Sequence, residues 1–164
     1  RGKAEAQLLF ELALTMQDLG RLASDLLLFY TSEFAFIELP DAFTTGSSIM
    51  PQKRNPDVLE LVRARSAGAL ACLTEALALC AKLPSGYQRD LQLLKIPLFR
   101  GIDSAAQTLD IAAAALDAVS FRPDRIRIEP SVHAAEQAYA LVLAEGIPFR
   151  EAYRRVAQRL ARKD

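Results

Sequence analysis

The chain has 164 residues, of which 51% are hydrophobic and 7% aromatic, with no tryptophan. Basic and acidic residues number 20 each, so the zero net charge gives no electrostatic reason to expect a nucleic-acid or membrane-surface partner. The abundant alanine and leucine favour closely packed helices over a β-sandwich. No apolar run reaches the roughly 18 residues that a membrane span needs.

The first segment predicts a helix over residues 4–29, because its apolar residues recur at helical spacing. These residues are Leu8, Leu9, Leu12, Met16, Leu19, Leu22, Leu26 and Leu27. The chain enters this pattern at once and without a signal peptide, so we expect it to begin inside a longer protein. Residues 30–57 are predicted to be a long connection, since they contain Pro40, Gly46, Pro51 and Pro56.

Two further long helices are predicted over residues 56–82 and 98–119. The first carries an apolar stripe of Leu59, Val62, Ala69, Leu70, Leu73, Leu77 and Cys80. The second carries a stripe of Ile102, Ala106, Leu109, Ala113 and Leu116, and Pro97 either starts that helix or kinks a slightly longer one. A helix over 56–82 would span roughly 40 Å, which suits an extended bundle.

The last part of the chain predicts a linker and two short helices. Residues 120–130 form the linker, with an extended piece at 126–128, and helices follow over 132–145 and 149–162. Gly146 suits a helix C-cap and Pro148 a helix entry. The fold class is therefore all-α: residues 1–120 belong to a long-helix bundle, and residues 121–164 form a small helical domain. Three helices leave apolar stripes uncovered, so we expect packing against other copies or further segments.

The two cysteines, Cys72 and Cys80, lie eight residues apart on one predicted helix. That spacing puts them about 12 Å apart along the helix axis, beyond the reach of a disulfide. Reduced thiols of this kind favour a cytoplasmic protein.

Residues 45–57 combine a Gly-Ser loop, a cation and a helix start. Gly46 frees the backbone so that successive N–H groups can turn toward one point. The helix start adds unpaired N–H groups with a partial positive charge, and Lys53 adds a full charge. The loop would suit an anion and could stabilise an ionised serine, although a Gly-Ser-Ser stretch before a helix is commonly a plain connection.

The string from Gly46 to Pro56, GSSIMPQKRNP, resembles the signature of the fumarase/aspartase superfamily, whose lyases cleave a C–N or C–O bond to release fumarate. Within this superfamily, the sequence Pro51-Gln52-Lys53 followed by Asn55-Pro56-Asp57 looks most like the argininosuccinate lyase family. Residues 83–92 with Lys95 are similar to that family's substrate-binding stretch, and residues 146–152 to its C-terminal region.

The resemblance implies a reversible β-elimination that converts argininosuccinate to arginine and fumarate. By position in the motif, Ser47 is the base, and Ser48 is the alternative or a substrate contact. Lys53 and Asn55 would hold the substrate carboxylate on which charge accumulates. Glu60 would orient a catalytic histidine.

The resemblance also assigns Tyr87, Gln92 and Lys95 to binding the succinyl and arginine parts of the substrate. His133, the only histidine, is expected to be a surface or capping residue. The family's catalytic histidine belongs to an upstream motif that this chain lacks, so the isolated chain should be inactive. The family's active sites are assembled from three subunits of a homotetramer. We expect no cofactor and no metal.

Two other readings remain open at this point. The chain could belong to another fumarate-releasing lyase, namely adenylosuccinate lyase, aspartase or fumarase. It could also be a non-catalytic helical oligomerisation module that retains the fold.

Overall fold

The fold is known from a computed structural model that describes residues 2–161, apart from the side chain of Pro130. Five α-helices carry most of this part of the chain, which confirms the all-α class. They are α1 (Lys3–Tyr30), α2 (Asp57–Cys80), α3 (Lys95–Ala118), α4 (Ala134–Glu145) and α5 (Phe149–Leu160). The predicted end of the last helix at residue 162 lies outside the described residues.

Two compact units make up the chain, and the division falls between Arg125 and Ile126. In the first unit α2 packs between α1 and α3, and consecutive helices run antiparallel. Its core forms two clusters, one at each end of α2. One contains Leu9, Met16, Cys72, Ala76, Leu94 and Ala105. The other, near the start of α2, contains Ala23, Leu26, Ile37, Leu59, Val62 and Ala112.

The face that α3 buries is not the predicted one. Its buried residues are small or compact, namely Pro97, Gly101, Ala105, Thr108, Ala112 and Ala115. Leu109 and Leu116 of the predicted stripe are each 41% exposed. The reason is close packing: a Cβ at position 101 would lie 2.5 Å from Cδ2 of Leu9, so only a glycine leaves room for this approach.

The predicted stripes of α1 and α2 are partly wrong for the same reason. Ala13, Gly20 and Ala23 share the buried face of α1 with three larger residues. Leu8 and Leu22 of α1 are exposed, as are Leu70 and Leu77 of α2. Large apolar side chains therefore remain uncovered on all three long helices of the first unit.

The α3 helix begins at Lys95, three residues before the predicted start, after a 3-10 helix at Arg89–Leu94. Pro97 lies in its first turn, where a missing N–H removes no helical hydrogen bond. The predicted extended piece at 126–128 carries no strand. Instead the two-residue strands β1 (Ile37–Glu38) and β2 (Ser120–Phe121) pair antiparallel.

This β-pair anchors the connection between α1 and α2. The Arg122 N–H donates to the Phe36 carbonyl at 2.8 Å, and the Arg122 guanidinium pairs with both Glu38 and Asp124. The hydrogen bond from Arg122 holds the pKa of the Asp124 carboxyl below its usual value. The chain entering residues 39–56 is thus tied to the end of α3.

The second unit is a hairpin of α4 and α5 with its own small core. Ala138, Ala152 and Val156 are fully buried between the two helices. Gly146 ends α4 in the left-handed conformation, with φ 66°, and its N–H donates to the Val142 carbonyl at 2.9 Å. The predicted roles of Gly146 and of Pro148, which precedes α5, are confirmed.

The structure also shows where His133 and the two cysteines lie. His133 is exposed at the N-cap position of α4, where its ring faces Glu136 and makes no capping hydrogen bond.

Both cysteines lie on α2 and form no disulfide, as expected. Among residues 2–161, no helix is both long and apolar enough to cross a membrane.

Candidate functional site

Backbone hydrogen bonds close the Gly-Ser loop at its base. Thr45 and Asn55 exchange two of them, N–H to carbonyl at 2.9 Å and 2.8 Å. The Thr45 hydroxyl also donates to the Asp57 carboxylate at the first residue of α2. Arg54 pairs with Asp41 at 3.2 Å, on the segment that leads into the loop. The base of the loop is therefore fixed to the start of α2.

Two backbone N–H groups of the loop point at the side chain of Ser47. The N–H groups of Ile49 and Met50 donate to the Ser47 Oγ at 3.3 Å and 3.2 Å. Donors aimed at an oxygen favour its ionised form, which lowers the cost of removing the hydroxyl proton. Ser47 is half-buried, whereas Ser48 is exposed and accepts no such pair of bonds within residues 2–161.

Lys53, Asn55 and Glu60 share one cleft of about 510 Å³ at this end of the first unit. The cleft lies between the end of α1, the base of the loop and the first turns of α2. Asn55 is half-buried, while Lys53 and Glu60 are exposed. The Lys53 ammonium and the N-terminus of α2 both favour an anion here.

Tyr30, the last residue of α1, also lines this cleft. Its ring packs against the nearby core cluster. Burial raises the pKa of the Tyr30 hydroxyl; the positive charge of Arg54 opposes this shift, and the negative charges of Asp41 and Glu38 add to it. The hydroxyl is therefore a protonated hydrogen-bond donor at neutral pH.

The other predicted site residues lie at the opposite end of α2. Gln92 donates to the Tyr87 hydroxyl at 3.1 Å, and Lys95 is the first residue of α3. They follow the C-terminus of α2, and a helix of 24 residues spans about 36 Å. Within one chain these three side chains cannot meet the Gly-Ser loop.

Tyr30 and Arg63 are among the cleft residues that were not predicted as site residues from the sequence. The sequence predicted Tyr30 only as the start of the connection over residues 30–57. Its position in the wall of the cleft depends on the path of that connection from α1 back to α2. Arg63 lines the cleft as well. It could have been found, because it stands three residues after Glu60 and so shares a helix face with it.

Among residues 2–161, no cluster of three or more histidine, cysteine or acidic side chains could hold a metal ion.

Comparison with known proteins assigns the chain to a group of lyases. A family model described as "Lyase" matches residues 3–70. The argininosuccinate lyase of Sorangium cellulosum is 50% identical over 163 residues, covering 98% of this chain and 37% of the relative. The argininosuccinate lyase of Xylella fastidiosa is 48% identical over 160 residues, covering 96% of this chain and 36% of the relative. The chain thus spans little more than a third of the length of these relatives.

Solved structures agree on the fold. An EDDS lyase variant with bound fumarate matches with a TM-score of 0.71 and 27% identity, covering 93% of this chain and 31% of that one. The 3-carboxy-cis,cis-muconate lactonizing enzyme of Pseudomonas putida matches with a TM-score of 0.72 at 21% identity, covering 98% of this chain and 37% of that one. The family model, the sequence identity and the shared helical fold lead to one conclusion: the chain belongs to the lyase family whose model it matches, and over nearly its whole length it is similar to one part of the argininosuccinate lyases.

Proposed function

We propose that this chain is the C-terminal part of a carbon–nitrogen lyase that converts argininosuccinate to arginine and fumarate. The observation that carries the proposal is the pair of N–H groups aimed at the Ser47 Oγ, inside a loop whose base is fixed to a helix start. A serine hydroxyl must be acidified by several pKa units to act as a base at neutral pH, and each unit requires about 1.4 kcal/mol. Fixed N–H donors and the α2 terminus contribute to that stabilisation.

In the proposed reaction Ser47 removes a carbon-bound proton next to a substrate carboxylate. Lys53 and Asn55 hold that carboxylate while negative charge accumulates on it, which stabilises the transition state more than the ground state. The C–N bond then breaks, its electron pair goes to the departing nitrogen, and an acid protonates that nitrogen. The acid comes from outside this chain, and Glu60 orients a histidine that is likewise supplied from elsewhere.

The proposal includes an oligomer. Tyr87, Gln92 and Lys95 follow the C-terminus of α2, and the loop precedes its N-terminus, so a helix about 36 Å long separates them and a complete site needs these residues from another copy. The exposed leucines of the three long helices offer apolar surface for such packing. A cytoplasmic homotetramer in which several subunits build each site accounts for both observations. The 164-residue chain alone should then show little or no turnover.

Turnover in a chimera tests this proposal. The chimera joins the upstream residues of the Sorangium cellulosum relative to this chain, in place of the 37% of that protein that the chain matches. We expect fumarate release from argininosuccinate and none from adenylosuccinate. Replacing Ser47 by alanine should lower kcat by about 10²–10⁴-fold, the usual contribution of a general base.

Ser48→Ala is the matched control, because it removes a neighbouring hydroxyl from the same loop. It should leave kcat within about tenfold of the parent. Full turnover by the Ser47→Ala chimera would refute the assigned chemistry. An inactive, folded chimera of the expected oligomeric state would favour the second candidate, a non-catalytic oligomerisation module, which the exposed apolar helix faces support.

A further inference from the structure

The Gly-Ser loop has two arms that the proposed reaction uses differently. Ser47 stands two residues after Thr45 on the first arm. Lys53 stands two residues before Asn55 on the second arm. Since Thr45 and Asn55 face each other at the base, the distance between the two arms depends on how each one is held there.

The second arm is held by the helix that follows it. Asn55 lies two residues before Asp57, the first residue of α2. Leu59, in the first turn of that helix, is 3% exposed and belongs to a core cluster. The start of α2 therefore cannot shift without moving a buried side chain, and the second arm is fixed with it.

The first arm has no such anchor in its own sequence. It follows the short 3-10 helix at Asp41–Phe43, which contains no buried residue, and Thr45 itself is exposed. The bridge to Asn55 is isolated, so within residues 2–161 no neighbouring rung supports its two backbone hydrogen bonds. Segments with exposed hydrogen bonds and few buried contacts are the ones that open locally.

One side-chain contact ties the first arm to the helix start. The Thr45 hydroxyl donates to a carboxylate oxygen of Asp57. A hydrogen bond to an ionised acceptor is roughly twice as strong as one between neutral groups. The N-terminus of α2 also stabilises the negative charge of this carboxylate. Through this contact, the first arm is attached to the same helix turn that holds the second arm.

We propose that Thr45 and Asp57 are positioning residues of the lyase reaction, which hold Ser47 at its working distance from the bound substrate carboxylate. This role rests on the proposed function, in which Ser47 is the base and Lys53 and Asn55 hold that carboxylate. Both positioning residues act through Ser47 and need no contact with the substrate. A misplacement of about 1 Å can cost about 10²-fold in rate, so one lost contact at the base of the loop has a measurable effect.

Kinetics of the chimera separate positioning from substrate binding. Thr45→Val keeps the shape of the side chain and removes the donor. It should lower kcat on argininosuccinate about 10- to 10²-fold. KM should stay within about threefold, because the groups that hold the carboxylate lie on the anchored arm. Thr45→Ser restores the hydroxyl and should return kcat to within about threefold of the parent.

Thr44→Val is the matched control. Thr44 is the neighbouring threonine, and its hydroxyl donates to the Asp41 carbonyl at 3.4 Å and not to α2. The control should leave both kcat and KM within about twofold of the parent. Asp57→Ala should lower kcat as much as Thr45→Val does. The double variant should lose no more than either single variant, since both changes remove the same contact.

Nuclear magnetic resonance of the complete 164-residue chain gives a second measurement, which needs no turnover. In the parent, the amide order parameters of residues 46–50 should be close to those of residues 53–55. Thr45→Val should lower the order parameters of residues 46–50 below about 0.6, the range of flexible backbone, and leave those of residues 53–55 unchanged. Thr44→Val should alter neither set.

Several results would overturn the positioning role. They are an unchanged kcat in Thr45→Val, a loss that Thr45→Ser does not restore, an equal loss in Thr44→Val, additive losses in the double variant, or unchanged order parameters of residues 46–50. If Thr45→Val fails to fold, Asp57→Ala decides the question by the same measurements.

The two proposals fail in different ways. If the parent chimera releases no fumarate, the lyase proposal is contradicted, and the order parameters decide whether Thr45 and Asp57 hold the loop. If the chimera is active and Thr45→Val has no effect, the positioning role is wrong. The lyase proposal then stands, because it is judged by turnover and by Ser47→Ala.

Discussion

Two glycines on neighbouring helices of the first unit should respond in opposite ways to alanine. Gly68 lies in the interior of α2, and a Cβ there would meet no atom within 4 Å. Gly101 lies in α3, where a Cβ would come to 2.5 Å from Cδ2 of Leu9 and 3.6 Å from Cβ of Cys72. The two sites share a backbone conformation and differ in the space around the added methyl group.

The expected magnitudes follow from two opposing contributions. Alanine stabilises a helix interior by about 1 kcal/mol relative to glycine, and this applies at both positions. Leu9 is only 1% exposed and cannot move its side chain into solvent, so overpacking at position 101 costs about 1–3 kcal/mol. Gly68→Ala should therefore raise the free energy of unfolding by up to about 1 kcal/mol. Gly101→Ala should lower it by about 1 kcal/mol.

Urea unfolding followed by far-UV circular dichroism measures both values, and thermal midpoints should shift by about 3 °C in opposite directions. A double mutant with Leu9→Ala isolates the contact. Leu9→Ala alone should cost about 2–5 kcal/mol. Gly101→Ala should then become favourable, because the overlapping methyl group is gone. If Gly101→Ala stabilised the parent as much as Gly68→Ala does, the close approach of α1 and α3 would be wrong.

Two further predictions concern single contacts. Gly146→Ala should lower the free energy of unfolding of the second unit by about 1 kcal/mol. The loss comes from backbone strain alone, since a Cβ there would meet nothing within 4 Å. The unfolding midpoint of the α4–α5 hairpin measures this change. The bond from Arg122 lowers the folded pKa of Asp124, so its stabilisation is present above the ordinary carboxyl pKa and is lost as the pH falls through the lowered value. Arg122→Gln should therefore lose less stability than the parent as the pH falls below about 4. Urea midpoints of parent and variant, measured as a function of pH, test this. If both proteins lost stability equally below about pH 4, the pairing of Arg122 with Asp124 would be absent.

Helix positions could be read from the sequence more reliably than helix faces. Periodicity and proline placement gave the five helices to within a few residues, because both features act locally along the chain. The faces of α3 were misread, since the prediction assumed that large apolar residues point to the core. Gly101 and Ala105 point there instead, and Leu109 and Leu116 are left outside. Close packing through small residues depends on the neighbouring helix, which one segment's pattern does not reveal.

For the candidate site, too, the residues that are close in sequence could be predicted, and those brought in from distant segments could not. The motif predicted Ser47, Lys53, Asn55 and Glu60 as site residues because they are close in sequence on a loop and a helix start; Lys53, Asn55 and Glu60 share a cleft, and Ser47 is not among the residues that line it. Which non-local residues join them depends on the path of the chain after α1. The wall formed by Tyr30 was therefore invisible in the sequence.

The two hydrogen bonds between Thr45 and Asn55 separate the requirements of folding from those of chemistry. The nine intervening residues contribute nothing to either core cluster of the first unit. A substitution among them should change reactivity while the surrounding helices keep their stability. Substitutions in this loop can therefore change specificity under selection without destabilising the helices that hold it.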